Sequence, residues 1–508
     1  MRFNNADKII RTITLCVLLF TVGIGAIMVF CEVKPFWVDE WFIIYSLKTK
    51  NAHNIFGQLA FMQQFPRVYL ALLRYFTSWC KYSYVSLRLP SYLISIATIV
   101  LSYRVMKRIF DKQLFSRYLF VLILVSAFTF TEYFVEMKQY AMDILLSILA
   151  LWQLLELVNI KANSPINVKR YLLLCISFLV VPFFSYTYPI AIVPVYTVVL
   201  MQTAFIVRHD SEAITKRNTI ILKWLPLFLC TISVFAFYII DARQLATDKI
   251  MYDRWSFLLV GDTNKFYAFC TGFYTLFAQT GNGLLFEILF GILGIASFIY
   301  GIVYCLRRMY KREYSFELLL KTYACVLLAL TLVLYLAGKM PLGTPRLNAF
   351  TTPSIAILVI YLLNRIAAYL KGTKGMILPI LLYIGVAGNV FSHYINYFGS
   401  KEYKKMMLVY TATETAINQA QAQKMPILIA PGIAYPYERA VIDAGEPGPA
   451  AWVLKTFPAY DMNKHLPVYT ITDTAVAAQY LAQLPANVTT VLAGDGIYYH
   501  AIQRKDIR

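Results

Sequence analysis

The sequence predicts a polytopic α-helical membrane protein carrying a small α/β domain at its C-terminal end. Three observations lead there. The 508 residues are 59% hydrophobic and only 15% charged, with a mean hydropathy of +0.59, whereas soluble proteins carry about 25% charged residues. Apolar stretches of roughly 20 residues, the length a bilayer crossing needs, recur along most of the chain. After residue 396 that pattern stops, and short β-type runs alternate with a helical one.

The apolar stretches fall near 11–30, 86–105, 114–131, 140–160, 171–187, 189–207, 221–240, 284–306, 319–337, 347–369 and 376–396. Hydropathy therefore counts about 11 spans. The first lacks a small-residue cleavage site and reads as an anchor rather than a signal peptide. The stretch 67–80 is apolar but short and interrupted by Arg74, which suits an interfacial helix. Lysine and arginine then sort the loops. With Arg2, Lys8 and Arg11 inside, the cytoplasmic ends carry Arg104/Lys107/Arg108/Lys112/Arg117, Lys161/Lys169/Arg170, Arg208/Lys216/Arg217/Lys223, Arg307/Arg308/Lys311/Arg312 and Arg365/Lys371/Lys374. The intervening loops hold Asp39/Glu40, Glu132/Glu136 and Asp241/Asp248/Asp253, and are acidic or mixed. Counting 67–80 as a full span would invert every later loop. The expected layout is a membrane domain over 1–396, with outer loops at 31–85 and 241–283. An extracytoplasmic α/β domain follows over 397–508. Its strands are expected over Met425–Ala430, Val468–Thr472 and Val488–Ala493, with a helix from Asp473 or Thr474 to about Leu484.

Composition also excludes function classes. The net charge of +20 does not point to nucleic acid, because residues 401–508 hold 10 Lys/Arg against 9 Asp/Glu and the excess lies in the membrane loops. The 8 cysteines form no CxxC pair, and the 5 histidines show no zinc-ligand spacing. No metal site is expected; a divalent ion at Asp39/Glu40 is the less favoured option.

Four groups of residues carry candidate chemistry. Asp39 and Glu40 lie just past the first span, between Trp37 and Trp41. Ionisable groups at membrane depth are functional candidates, and crowded carboxylates acquire a raised pKa that suits a general base. Solvated interfacial carboxylates paired with Lys34 are the plain alternative. Tyr133–Tyr140 places Glu136, Lys138 and Tyr140 at the outer start of the fourth span. In a continuous helix Glu136 and Tyr140 would share a face and Lys138 would not; the plain alternative is an aromatic anchor with a snorkelling lysine. Gly338–Arg346, with two prolines and two glycines, reads as a rigid non-helical loop presenting Arg346. A guanidinium fork there fits a phosphate as well as it fits lipid headgroups. Finally, Arg67 and Arg88 break the charge rule on the outer side, near Tyr69. Either they have a task there, or they pair with Asp39 or Glu40.

In this order the set resembles the GT-C superfamily of integral-membrane glycosyltransferases, in particular the protein O-mannosyltransferases and lipid A aminoarabinose transferases. The resemblance rests on Asp39-Glu40, Pro66-x-x-Tyr69, Leu87-Arg88-Leu89-Pro90-Ser91, Tyr133-x-x-Glu136-x-Lys138-x-Tyr140, Pro345-Arg346 and Pro353, over about residues 10–370. It implies transfer of a sugar from a polyprenyl-phosphate donor to a lipid, glycan or protein acceptor at the outer face of a bacterial inner membrane. It makes Asp39 the base, Glu40 its neighbour and Arg346 the phosphate-side arginine, and it implies no cofactor. Lys138 stands where relatives usually carry arginine, a departure that replaces a bidentate fork with a point charge. Phe65 precedes Pro66 where relatives often have a second proline, and the segment after 396 matches no relative. The rival classes are a lipid or sugar transporter, a surface-glycan polymerase or ligase, and an accessory membrane protein. A transporter would tend to show inverted repeats and midplane charges, and neither is evident.

Overall fold

The computed structural model describes residues 2–51, 54–57, 59, 63–160, 167–209, 213–243, 265–370, 372–404 and 407, and in the tail 427–429, 451–453, 468–473, 489–493 and 497–502. The helix expected over 474–484 and residues 244–264 of the 241–283 loop, with Asp248 and Asp253, lie outside these residues.

The helices in chain order are α1 (Arg2–Phe30), α2 (Val38–Thr49), α3 (Arg67–Trp79), α4 (Tyr84–Ile109), α5 (Leu114–Ser126), α6 (Phe128–Tyr133), α7 (Tyr140–Asn159) and α8 (Val168–Val180). They continue with α9 (Tyr188–His209), α10 (Ala213–Phe237), α11 (Lys265–Ala278), α12 (Leu284–Tyr310), α13 (Phe316–Leu336), α14 (Pro345–Asn348), α15 (Thr352–Leu370) and α16 (Gly372–Gly399). Among the described residues nine helical runs are long and apolar enough to cross a bilayer: α1, α4, α7, α9, α10, α12, α13, α14 with α15, and α16. The chain is an integral, multi-pass membrane protein.

Two expected spans are shorter than a full crossing, for local reasons. Over 114–131 the helix stops at Ser126, and Ala127 is extended (φ −60°, ψ 139°). The Phe128 N–H then donates to the Gly281 carbonyl at 3.3 Å, so the break leaves that donor paired. Over 171–187, α8 ends at Val180 and passes into a 3₁₀ turn at Val181–Phe184 that contains Pro182, which has no N–H to extend the helix. The stretch expected as interfacial is the 13-residue α3. It buries Leu70, Leu73 and Thr77 and exposes Leu72, Tyr75 and Trp79.

The chain forms two compact units. The first comprises residues 1–27, 65–69 and 87–394. Its interior helix is α7: 83% of the apolar window is buried, against 33% in α1 and α10, whose outer faces are solvated by lipid. Helix α9 packs on α7 and α13, and α12 packs on α11 and α15. Polar pairs tie the helices at one end: Thr129 to Thr352 at 3.1 Å, Ser147 Oγ to the Phe350 carbonyl at 2.6 Å, and Asn282 Nδ2 to Thr131 Oγ1 at 2.8 Å.

The second unit comprises residues 28–64, 70–86 and 395–508. Its strands β1 (Ile427–Ile429), β2 (Ala451–Val453), β3 (Val468–Asp473), β4 (Thr489–Ala493) and β5 (Ile497–Ile502) form one sheet in the order β2-β1-β3-β5-β4. β1 runs parallel to β2 and β3, and β5 runs antiparallel to β3 and β4. The three strands expected from sequence are present. The two that were not expected are the three-residue β2, too short for a pattern, and β5, Ile497-Tyr-Tyr-His-Ala-Ile502.

Candidate functional site

In the first unit, one stripe of α4 organises the site. Arg88, Ser91 and Ser95, at helical spacing, are all buried, Arg88 completely. Arg88 Nη1 donates to the Val135 carbonyl at 3.0 Å, and Ser95 Oγ donates to the Phe134 carbonyl at 2.8 Å. Ser91 lies beside the phenol of Tyr69. That ring stacks near Phe65, with centroids 5.1 Å apart. Burial pushes the Tyr69 phenol well above its ordinary pKa, so it stays neutral and acts through hydrogen bonding.

These bonds shape the segment between α6 and α7. Residues 134–139 are not helical, and α7 begins only at Tyr140. Glu136 and Tyr140 therefore do not share a helical face: the carbonyls of Phe134 and Val135 turn to α4 instead of continuing the helix. Every side chain from Tyr133 to Tyr140 is buried, Lys138 to 3% exposure and Glu136 to 4%. A snorkelling lysine would hold its ammonium in water, so that alternative is excluded. Tyr133 and Tyr140 close over the turn with centroids 4.8 Å apart. Gly25 of α1 makes the arrangement possible, since a Cβ there would lie 2.0 Å from Phe134 and 2.7 Å from Tyr92.

One turn into α7 lies Asp143, a buried carboxylate that sequence reading passed over. It accepts from Ser185 Oγ, which in turn receives the N–H groups of Thr187 at 3.0 Å and Tyr188 at 3.1 Å. An acid in the first turn of an apolar helix suits the positive end of the helix dipole, and its depth in a span was the signal available in sequence.

Arg346 lies beside this cluster through α6, against which the α14 turn packs. The loop before it was expected to be non-helical throughout, but Arg346 sits on a helical turn with Pro345 at its start, where a missing N–H costs nothing. α13 ends in a Schellman motif: Gly338 (φ +64°) donates to Tyr335 and Lys339 donates to Leu334, each at 2.8 Å. Asn348, completely buried, then ties the loop through Nδ2 to the carbonyls of Pro341 at 2.8 Å, Leu342 at 3.1 Å and Thr344 at 3.2 Å. Gln279 Nε2 holds the Asn348 carbonyl at 3.2 Å. Nothing in the residue pattern marked Asn348.

Arg67 belongs to a different cluster. Its backbone N–H donates to Asp241 Oδ2 at 2.6 Å, and its Nη1 donates to the Phe65 carbonyl at 3.0 Å. Tyr186 bridges the same two partners, Asp241 Oδ1 at 2.6 Å and the Phe65 carbonyl at 3.1 Å. Asp241 is thus held by the Arg67 backbone N–H, while the guanidinium bonds the Phe65 carbonyl. Arg67 Nη1 supports the Phe65–Tyr69 segment through that carbonyl.

Asp39 and Glu40 belong to the second unit. They stand in the first turn of α2, where carboxylates complement the dipole. Glu40 is fully buried and its Oε2 accepts from the Trp37 N–H at 3.2 Å, while Asp39 is partly exposed. The preceding run is fixed by two tyrosines: Tyr84 donates to the carbonyls of Met28, at 3.2 Å, and Lys34, and Tyr403 donates to the Val33 carbonyl at 2.8 Å. Glu40 therefore shapes the loop, and Asp39 is the carboxylate that solvent reaches.

No protein-family model matches the sequence, and no curated protein aligns with it significantly. Structural comparison is more informative. A crystal structure of ArnT from Cupriavidus metallidurans bound to undecaprenyl phosphate is similar with a TM-score of 0.52, at 11% sequence identity, over 96% of this chain and 98% of that one. The chain has the fold of that structure. The Archaeoglobus fulgidus oligosaccharyltransferase in its apo form is less alike, with a TM-score of 0.49 and 12% identity over 92% of this chain and 70% of that one.

Proposed function

We propose that the protein is an inverting glycosyltransferase that takes a sugar from a polyprenyl-phosphate donor and passes it to a lipid, glycan or protein acceptor at the extracytoplasmic face. The observation that carries this reading is the likeness, along nearly the whole chain, to a structure holding undecaprenyl phosphate. The buried cationic groups of the Arg88–Lys138 cluster, with Arg346 beside them, supply the charge that such a headgroup requires.

In this reading Asp39 removes the acceptor hydroxyl proton. The acceptor oxygen bonds to the anomeric carbon as the bond to the donor phosphate breaks, and the polyprenyl phosphate leaves with inverted configuration at the sugar. The leaving group is already an anion, so it needs charge stabilisation rather than an acid partner. Arg346 grips that phosphate through its guanidinium fork, and Lys138 adds a point charge. Glu40 sets the loop that carries Asp39. Glu136 and Tyr140 shape the turn around Lys138, Arg88 holds that turn from α4, and Tyr69 packs beside Ser91 of α4. The natural site is the inner membrane of a bacterium, with the N-terminus in the cytoplasm and the tail domain outside.

The decisive experiment incubates the purified full-length chain with synthetic polyprenyl-phosphate sugars and an extract of envelope lipids and glycans. Mass spectrometry should show a product heavier by one sugar and free polyprenyl phosphate in equal amount. Release of polyprenyl phosphate without a glycosylated product, or no consumption of any donor, overturns the reading. The chemistry invokes no divalent metal, so turnover should survive a chelator; its loss would make Asp39 and Glu40 ligands instead.

A further inference from the structure

At the other end of α4 from Arg88, the first unit holds a cavity of about 840 Å³ between the last turns of α12 and α15 and the turn joining α4 to α5. Lys112, Arg307, Arg308, Lys311 and Arg365 line it, together with three carboxylates. Each acid is already answered. Glu313 pairs with Arg308, Glu317 pairs with Lys321 at 2.6 Å, and Asp111 lies 4.0 Å from Arg117. Among the described residues, Lys112, Arg307, Lys311 and Arg365 pair with no carboxylate. Four cations without a salt-bridge partner thus face one concavity, where five cations outnumber three carboxylates, an arrangement that strengthens an anion's attraction.

The wall behind them is aromatic and fixed. Lys321, completely buried, sits 3.6 Å from the ring centre of Tyr304, 4.4 Å from Tyr300 and 5.0 Å from Tyr361. These three rings also line the cavity, so the recess does not depend on its occupant for shape. Tyr310 and Tyr369, 90% and 83% exposed, stand next to the lining residues Arg307 and Arg365, and exposed tyrosines of this kind favour the headgroup region. Val303 and Ala368 continue the lining onto exposed apolar helix surface, where Val303 and Leu306 face outward. The positive-inside rule accounts for cations at this end of the bundle. It does not account for their gathering around a recess with a preformed aromatic wall and an apolar exit.

We propose that this cavity binds the phosphate headgroup of an anionic membrane lipid of the cytoplasmic leaflet, with its acyl chains lying along the Val303–Leu306 face of α12. Basic recesses between transmembrane helices suit such headgroups. The site is separate from the one assigned to the sugar donor and does not depend on that assignment.

The test uses the full-length protein purified in detergent and titrated with cardiolipin, phosphatidylglycerol, phosphatidylcholine, inorganic phosphate or pyrophosphate. Unfolding midpoint and native mass spectrometry provide the readouts. The two anionic lipids should raise the midpoint and remain bound in the gas phase, while phosphatidylcholine should do neither. Exchanging Arg307→Gln and Arg365→Gln together should weaken anionic-lipid binding about tenfold, since each removes charge-assisted hydrogen bonds. Lys311→Gln, a single exposed change run beside the pair, should weaken it less, and Arg104→Gln, exposed but outside the cavity, should not affect it. Equal retention by the wild type and the cavity variants overturns the proposal, as does equal stabilisation by phosphatidylcholine. If inorganic phosphate or pyrophosphate protects as well as lipid through the same residues, the ligand is a soluble phosphate and the lipid assignment fails.

Discussion

Arg88 Nη1 donates to the main-chain carbonyl of Val135 at 3.0 Å, joining residues 47 positions apart. A completely buried guanidinium is costly, and here it is used to hold a backbone rather than to sit on a surface. With Ser95 it makes residues 134–139 a fixed turn on which Glu136 and Lys138 stand.

Arg88→Ala should therefore release the turn. Stability falls by roughly 1–3 kcal/mol, the range for leaving a buried partner unsatisfied. Transfer falls further, because Lys138 loses its placement. Arg88→Lys should not restore transfer, since an ammonium lacks the planar fork. Unfolding midpoints and initial rates on the same preparations check both statements, and full activity in the lysine variant would show that charge alone is needed.

Gly25→Leu tests the same turn from the other side. A side chain at 25 must displace the rings of Phe134 and Tyr92. Overpacking of this kind costs about 1–3 kcal/mol. Activity should drop, and apparent donor affinity should fall less than in Arg346→Ala, as the turn carrying Lys138 shifts while Arg346 stays in place. A variant as stable and active as the parent would mean that α1 moves aside freely.

Asn348→Ala removes the amide that holds three carbonyls of the loop before Arg346. The expected result is a raised KM for the phosphate-linked donor, with kcat reduced less. Arg346→Ala should raise the same KM more strongly and lower kcat by a factor of about 100–1,000, the typical cost of losing one preorganised donor. Donor titrations on both variants separate the grip from its support, and unchanged donor dependence in Arg346→Ala removes the clamp.

Asp39→Asn should abolish transfer while leaving expression and donor binding intact. Glu40→Gln should act differently, because its Oε2 accepts from the Trp37 N–H. The amide oxygen can still accept, so most activity should remain. Equal loss in both variants, measured as turnover against donor retained on the protein, would place the base in the pair rather than in Asp39.

How much of the site was legible follows the reach of each interaction. Glu136, Lys138 and Tyr140 stood out because polar groups at a span end are conspicuous against apolar neighbours. Their turn did not, because it exists only through bonds from a helix some 40–50 residues away in sequence. Arg67 was conspicuous for the same reason as Arg88, and only the fold separates their roles: one braces its own segment through the Phe65 carbonyl, the other holds the Val135 carbonyl of a distant turn. Asn348 carried no signal, since an amide's value lies in which carbonyls surround it.

Sequence alone determined the solvent of this protein and the division between membrane helices and a β-containing tail, because hydropathy over about 20 residues is a local property that a bilayer reads directly. Tertiary structure alone decided that the break at Ala127 pairs with Gly281, which buried charges position backbone, and that four cations without a salt-bridge partner share one recess. Those outcomes depend on atoms brought within about 3 Å across long stretches of chain, and no local pattern encodes that proximity.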